Sequence, residues 1–249
     1  MKRFDHDGID IAFRDEGEGE PIVLVHGFAS TAEVNWVYPG WFATLTRAGR
    51  RVIALDNRGH GASRKLYDPS AYHSARMADD VAALLDYLRI GRADVMGYSM
   101  GARIAAFFAL SHANHLCRAI LGGLGMNLVR AAGGSESIAE ALEAPLVDVQ
   151  DPSARMFRAF AEQTKSDLSA LAACARGSRQ TLTAVQLATI TAPVLVAVGT
   201  RDTIAGSAHE LAALLPQGRA LDIPERDHML AVGDRVFKQA VLQFLAQQP

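Results

Sequence analysis

The sequence predicts an α/β protein with a mostly parallel central sheet flanked by helices. The first observation is an alternation of short apolar runs, rich in β-branched residues, with longer amphipathic segments. The second is that several of these runs are apolar throughout, as in Ile22-Val23-Leu24-Val25, which is typical of strands buried on both faces. The length of 249 residues is within the range of one domain of this class.

Seven strands are expected from these runs. Residues 9–14 alternate like a strand with one exposed face, and residues 220–223 predict a last, more exposed strand. The buried strands are predicted at residues 22–25, 52–55, 93–96, 118–122 and 193–198.

The helices are predicted between the strands. Ser74 is expected to cap a helix that runs to about Ile90, with Gly91 just past its end. Two further helices are predicted at residues 211–215, after the capping-box pair Ser207 and Glu210, and at about 232–247.

The segment 126–188 breaks the alternation because it lacks buried-strand runs. Helix starts are expected at Ser137, with Glu140, at Asp151-Pro152 and at Ser166. We therefore expect an α/β core formed by residues 1–125 and 189–249, with residues 126–188 as an inserted helical lid.

Composition and charge exclude several classes of protein. The formal net charge is -2 and the basic residues are scattered, so we expect no nucleic-acid partner. The N-terminus lacks the apolar stretch of a signal peptide, and the apolar runs are shorter than the about 20 residues that a membrane span requires. The two cysteines, Cys117 and Cys174, form no metal-ligand spacing and are expected to be buried free thiols, as in a cytoplasmic protein.

Gly97-Tyr98-Ser99-Met100-Gly101 is a G-x-S-x-G pattern, and it directly follows an apolar strand and opens a helical run. This strand-turn-helix setting is the one that a nucleophile elbow requires. The flanking glycines lack the Cβ atoms that would collide with the neighbouring backbone, and the N-terminus of the helix favours a nearby oxyanion. The pattern indicates Ser99 as a nucleophile.

With this motif the sequence resembles the α/β-hydrolase family. The resemblance covers nearly the whole chain and is carried by His26-Gly27-Phe28, the 56–61 segment Asp-Asn-Arg-Gly-His-Gly, the serine motif, Gly199-Thr200-Arg201-Asp202 and Asp227-His228. It implies an oxyanion hole formed by the backbone N–H groups of Phe28 and Met100. Within the family, the motifs are most similar to the esterase and cofactor-free haloperoxidase branch.

A serine hydroxyl needs a base and a third group that orients the base. The chain order of the family implies His228 as the base and Asp202, just after a late buried strand, as the acid. The chain departs from the family pattern at Asp227, where a glycine often precedes the histidine. Asp227 is not expected to be the acid, since adjacent side chains usually point apart.

Other residues near these motifs are candidates for lining or supporting the site. Tyr98, Trp36 and Met126 are candidates for the substrate pocket, and Tyr98 fits equally well packed under the serine turn. His26 and His60 are expected to hydrogen-bond loop backbone near the site.

The predicted reaction is the two-step hydrolysis of a small carboxylic ester through an acyl-enzyme, with no metal and no organic cofactor. A serine at the nucleophile position argues against haloalkane dehalogenases and epoxide hydrolases, whose family pattern has an aspartate there. Two alternatives with the same triad remain open: hydrolysis of a carbon–carbon bond in an activated diketone, and perhydrolysis. A third is a slow-turnover ligand receptor on the same fold. The sequence does not identify the substrate or the oligomeric state.

Overall fold

The central sheet has eight strands in a computed structural model that describes residues 1–130 and 133–247. The strand order is β1-β2-β4-β3-β5-β6-β7-β8. β1 pairs antiparallel with β2, β2 pairs antiparallel with β4, and all other pairs are parallel. The strands are β1 (Lys2–His6), β2 (Ile9–Glu16), β3 (Glu20–Val25), β4 (Arg50–Leu55), β5 (Ala93–Tyr98), β6 (Leu116–Gly122), β7 (Val194–Gly199) and β8 (Gly218–Ile223).

The apolar runs form strands because each side of the sheet has its own hydrophobic core. Successive side chains in a strand point to opposite faces, so Ile22 and Val23 of β3 belong to different cores, and both are fully buried. Val23 lies between Ile53 of β4 and Val95 of β5 in the sheet. The seven expected strands are all present, and the additional β1 completes a hairpin with β2.

Helices cover both faces of the sheet. They are α1 (Trp41–Arg47), α2 (Ser74–Tyr87), α3 (Met100–Ser111), α4 (Ser135–Glu143), α5 (Pro152–Gln163), α6 (Leu168–Gly177), α7 (Ala184–Ala188), α8 (Ala208–Ala212) and α9 (Arg235–Leu245). α2, α3 and α8 contribute to one core, and α1 and α9 to the other. None of the helices within the described ranges is both long and apolar enough to cross a membrane.

The predicted ends of α2 were wrong at both termini. His73, and not Ser74, accepts a hydrogen bond from the Ala75 N–H, and Ser74 lies inside the helix with its hydroxyl donating to the Ser178 carbonyl. The chain leaves the helix through Arg89 in the left-handed conformation (φ 55°), two residues before Gly91. A burial requirement on Ser74 thus outweighs its capping preference.

The segment 126–188 contains α4 to α7 and, in the residues that are described, no strand. Asp151 caps α5 as expected, whereas α4 begins at Ser135 and α6 is capped by Asp167, so the starts predicted at Ser137 and Ser166 were wrong. A third apolar cluster joins this segment to the loop after β3 through contacts that include Ala29 and Phe157. Its function as a lid stays a prediction.

Both cysteines are free thiols, but only one is buried. Cys174 of α6 is enclosed, and burial raises the pKa of its thiol to about 12. Cys117 is partly exposed, because it lies on β6 near the end of the sheet opposite the serine motif, which corrects the expectation that both are buried.

Candidate active site

Ser99 occupies a sharp turn between the end of β5 and the start of α3. Its backbone has φ 55° and ψ -113°, a conformation that side-chain-bearing residues rarely adopt. Its N–H donates to the Gly122 carbonyl at 2.8 Å, which anchors the turn to β6. A Cβ at Gly97 would overlap the Gly101 carbonyl, and a Cβ at Gly101 would overlap the Val25 carbonyl, so the turn can be this tight only with glycine at both positions.

A chain of hydrogen bonds links Ser99 to a histidine and an aspartate from distant segments. His228 Nε2 lies 2.9 Å from Ser99 Oγ, and His228 Nδ1 lies 2.7 Å from Asp202 Oδ2. A carboxylate can only accept, so Nδ1 carries the proton and Nε2 is free to accept from the serine hydroxyl. The three side chains therefore meet at the carboxyl ends of the parallel strands.

The buried side chain of Asp202 is held as an ion. Its side chain has no exposed surface. Burial acts to raise its pKa, but the hydrogen bond with His228 and the backbone N–H groups of Ile204 and Ala205 outweigh burial and hold the pKa below its usual value. The carboxylate is thus charged near neutral pH and fixed in orientation.

The loop that carries His228 is fixed by hydrogen bonds that involve Tyr98 and Asp227. The Tyr98 hydroxyl donates to the His228 carbonyl at 2.6 Å, and the two rings lie 5.6 Å apart. Asp227 accepts from the N–H groups of Met229 and Leu230, so its carboxylate stabilises the following turn and does not contact the imidazole. Tyr98 therefore packs beneath the turn and also contacts the histidine loop.

The two N–H groups expected to form an oxyanion hole have no acceptor among the described residues. Phe28 and Met100 both line a cavity together with Ser99. The turn at Phe28 is held by Asn35, whose side-chain oxygen accepts from the Gly27 N–H at 2.9 Å. Their function as an oxyanion hole stays a prediction.

His26 and His60 bond to loop backbone, as expected. His26 donates from Nδ1 to the Gly27 carbonyl at 2.8 Å and accepts at Nε2 from the Asn57 N–H at 2.9 Å. Burial lowers the pKa of His26 to about 4 and that of His60 to about 3, so both are neutral near pH 7.

Two cavities meet at Ser99. The first, here named the arginine cavity, has a volume of about 580 Å³ and the second, the histidine cavity, about 670 Å³, both counted with the open space at their mouths. Phe28 and Phe157 line both, with their rings in edge-to-face contact at 5.8 Å. The arginine cavity takes its name from Arg103 and Arg179, and the histidine cavity, which is lined mainly by apolar groups, from His228.

Of the three predicted pocket residues, only Tyr98 lines a cavity at Ser99. Trp36 is fully buried in the core beneath the site and packs edge-to-face against Trp41, so its assignment was wrong. Met126 begins a 3-10 turn beside Ser207 and lies outside both linings, which also corrects that assignment. Large apolar residues near a motif more often belong to the core than to the pocket.

The sequence patterns did not single out Arg103 and Arg179. A signal for Arg103 was present, because it is the one charged residue in the apolar run 102–110 that follows the serine motif. Arg179 carries no such signal. No group of three or more His, Cys, Asp or Glu side chains within residues 1–130 and 133–247 could hold a metal ion.

Comparison with known proteins gives the family of the chain. Residues 20–123 match the family model of the alpha/beta hydrolase fold. The Mycobacterium tuberculosis protein BpoC, a proposed non-heme bromoperoxidase, is 30% identical over 249 residues, which cover 89% of this chain and 91% of that protein.

Two solved structures extend this likeness over nearly the full length. A hydrolase from Pseudomonas aeruginosa is 29% identical with a TM-score of 0.75, covering 99% of this chain and 98% of the other. The enol-lactonase from Burkholderia xenovorans is 25% identical with a TM-score of 0.78, covering 99% and 100%. The chain is therefore a hydrolase of the α/β-hydrolase family, in the branch similar to the non-heme haloperoxidases.

Proposed function

We propose that the protein hydrolyses carboxylic esters of small molecules, with Ser99 as nucleophile, His228 as general base and acid, and Asp202 as the group that orients His228. The observation that carries the proposal is the chain of hydrogen bonds from Asp202 through His228 to Ser99, with distances of 2.7 Å and 2.9 Å. Such an arrangement raises the reactivity of a hydroxyl that is otherwise a poor nucleophile near neutral pH.

In the first step, Ser99 Oγ attacks the ester carbonyl carbon while His228 Nε2 takes the hydroxyl proton. The carbonyl oxygen becomes an oxyanion that accepts hydrogen bonds from the N–H groups of Phe28 and Met100. The charge of Asp202 stabilises the imidazolium that forms. Collapse of the intermediate breaks the bond to the alcohol oxygen, which receives the proton from Nε2, and leaves an acyl group on Ser99.

In the second step, water attacks the acyl-enzyme as His228 removes its proton. The proton then returns from Nε2 to Ser99 Oγ as the acid leaves. The hydrogen bonds from Asp202 through His228 to Ser99 are formed without a ligand, which supports a mechanism that needs little rearrangement of these side chains.

Ester cleavage is supported by the enol-lactonase among the similar structures, since a lactone is a cyclic ester. A second candidate, perhydrolysis, is favoured by the 30% identity to a proposed bromoperoxidase over most of both chains. In that reaction hydrogen peroxide replaces water in the second step, and the product is a peracid.

Labelling with a fluorophosphonate tests the nucleophile. The wild type and a Ser111→Ala control, which changes an exposed serine at the end of α3, should label, and Ser99→Ala should not. Hydrolysis of p-nitrophenyl esters should fall by about 10⁴-fold or more in Ser99→Ala. Equal labelling of Ser99→Ala and wild type would overturn the assignment, and peracid formation from acetate and hydrogen peroxide at rates above those of ester hydrolysis would favour the second candidate.

A further inference from the structure

Two arginine side chains without a carboxylate partner lie in the arginine cavity, next to Ser99. Arg103 belongs to α3, about one turn after the serine, and Arg179 follows α6. The residues that line this cavity include no aspartate and no glutamate, and neither arginine forms an ion pair with another described residue. The cavity therefore has positive charge that the protein itself does not neutralise.

This arrangement differs from the rest of the molecule. The other buried arginines of the described chain each pair with a carboxylate: Arg50 and Arg118 with Asp94, Arg58 with Asp80, and Arg158 with Glu162. Buried cations are costly unless paired, which is why such pairing is the rule. Arg103 is the exception, and it is the one that lines the site.

The two guanidinium groups retain hydrogen-bond capacity. Arg103 donates to the Gln180 carbonyl and, at 3.1 Å, to the Asn127 carbonyl, which leaves part of its five N–H groups free. Arg179 donates to no atom within the described residues. Burial lowers the pKa of Arg103 to about 10, with a smaller contribution from repulsion by Arg179, so both groups remain charged and would be stabilised by an anion.

The position of His228 decides which part of an ester faces these charges. In the proposed reaction His228 protonates the leaving alcohol, and His228 lines the histidine cavity but not the arginine cavity. The alcohol therefore leaves on the side of the histidine cavity. The acyl group extends the other way, past Met100 and toward the two arginines.

We propose that the arginine cavity binds a carboxylate carried by the acyl group, so that the preferred substrates are monoesters of dicarboxylic acids, or lactones whose acyl part carries a free carboxylate. The planar guanidinium group matches a carboxylate with two parallel hydrogen bonds, and Phe28 and Phe157 pack against the intervening carbon chain. This inference rests on the proposed ester hydrolysis.

The test compares p-nitrophenyl monoesters of succinate, glutarate and adipate with the neutral butanoate, pentanoate and hexanoate esters. Each rate is corrected for spontaneous hydrolysis, because the free carboxylate of a short dicarboxylic monoester attacks the ester group of the same molecule. For the best chain length we expect the wild type to favour the anionic ester in kcat/KM by about tenfold to a hundredfold. Arg179→Met should reduce this ratio by about tenfold or more, and Arg179→Lys should keep part of it because the charge remains.

The matched control is Arg130→Met. The Arg130 side chain is 65% exposed and pairs with Glu210. Its substitution removes one positive charge outside both cavities, so the ratio of kcat/KM for anionic and neutral esters should not change. Thermal unfolding of each variant separates misfolding from loss of recognition. A wild type that cleaves neutral esters at least as well as anionic ones, or an Arg179→Met protein with the wild-type ratio, would overturn the inference while leaving ester hydrolysis intact.

A binding measurement separates this inference from the proposed reaction. Monomethyl adipate should bind the Ser99→Ala protein. In the double variant Ser99→Ala, Arg179→Met the Kd for this ligand should be higher by about tenfold or more. Equal binding with and without Arg179 would overturn the carboxylate site whatever the outcome for ester hydrolysis. Loss of binding with Arg179→Met in a protein that cleaves no ester would support the site and reject the proposed reaction.

Discussion

The Tyr98 hydroxyl donates a 2.6 Å hydrogen bond to the backbone carbonyl of His228. Tyr98 directly precedes Ser99 at the end of β5, so one short segment carries the proposed nucleophile and also holds the loop of the proposed base. Burial raises the pKa of the Tyr98 phenol far above its usual value, so it is a neutral donor throughout the useful pH range. The distance between Ser99 and His228 thus depends on a contact outside the three hydrogen-bonded side chains.

We expect Tyr98→Phe to lower kcat by about 10-fold to 100-fold, because small displacements of a catalytic base are costly. KM for small esters should change little, since the ring itself remains. The lost hydrogen bond to a buried carbonyl should also cost about 1–3 kcal/mol of unfolding free energy. Steady-state kinetics and urea unfolding measure the two effects.

Tyr72→Phe is the control for this prediction. Tyr72 is fully buried, and its hydroxyl donates to the Leu66 carbonyl at 2.6 Å, but it lines neither cavity at Ser99. It should lose similar stability and keep the wild-type kcat. An equal fall in kcat for both variants would mean that Tyr98 acts only through stability.

Asp202→Asn should lower kcat by about 10⁴-fold with little change in the fold. The asparagine oxygen can still accept from the Ile204 and Ala205 N–H groups, but its NH₂ group would face His228 Nδ1. The imidazole would then carry its proton on Nε2 and could no longer accept from Ser99. The rate of fluorophosphonate labelling measures this loss without substrate binding.

Asp227→Asn provides the neighbouring control. Within the described residues its carboxylate accepts only from the backbone N–H groups of Met229 and Leu230, which an asparagine oxygen also can do. The kcat should stay within about threefold of the wild type. A large loss of kcat in Asp227→Asn, with a small one in Asp202→Asn, would mean that Asp227 and not Asp202 orients His228.

The strands could be predicted because burial on both faces leaves a continuous apolar run, as in β3. Helix ends were less predictable, since Ser74 is a good cap by residue type but is buried against Ser178 by tertiary packing. Tertiary packing also decides which side chains near a motif face the site. Trp36 lies close to His26-Gly27 in the chain, yet its side chain is buried in the core.

Candidate site residues that belong to a local motif could be predicted more readily than residues that meet only in the fold. The motif predicts Ser99 as the nucleophile, and the resemblance then implies Asp202 and His228 as its partners. Arg103 and Arg179 come from α3 and from the end of α6, and only the packing of the 126–188 segment brings them into one cavity. No local pattern in the sequence could reveal that the two charges lack partners.

Acid should destabilise the fold through His26 and His60. Their folded-state pKa values are lowered to about 4 and about 3, whereas unfolded histidines titrate near 6.5. Between these values the unfolded chain binds protons that the folded chain cannot, so stability falls as pH decreases from about 6.5 toward 4. The limiting slope is about 1.4 kcal/mol per pH unit for each histidine.

Urea unfolding between pH 7.5 and 5 measures this slope. His60→Gln should reduce the slope of unfolding free energy against pH by about the contribution of one histidine, because one buried neutral imidazole is removed. His209→Gln is the control, since the His209 side chain is 66% exposed and, in the part of the chain that the structure describes, bonds only to Asp222. A wild-type stability that stays level over this pH range would contradict the buried neutral state of the pair.

The turn at Ser99 should be intolerant of any side chain at its flanking glycines. A methyl group at Gly97 would overlap the Gly101 carbonyl, which belongs to the first turn of α3 and cannot move without displacing Ser99. We expect Gly97→Ala to cost more than about 3 kcal/mol of unfolding free energy and to abolish fluorophosphonate labelling.

Gly91→Ala is the matched control for this prediction, because a Cβ at Gly91 would meet no atom within 4 Å and the φ of Gly91 is not positive. That variant should label like the wild type and gain about 0.4–1 kcal/mol, since it restricts only the unfolded chain. If Gly97→Ala were as stable as the wild type, the packing of β5 against the first turn of α3 would leave room for a methyl group, and the expected overlap with the Gly101 carbonyl would be wrong.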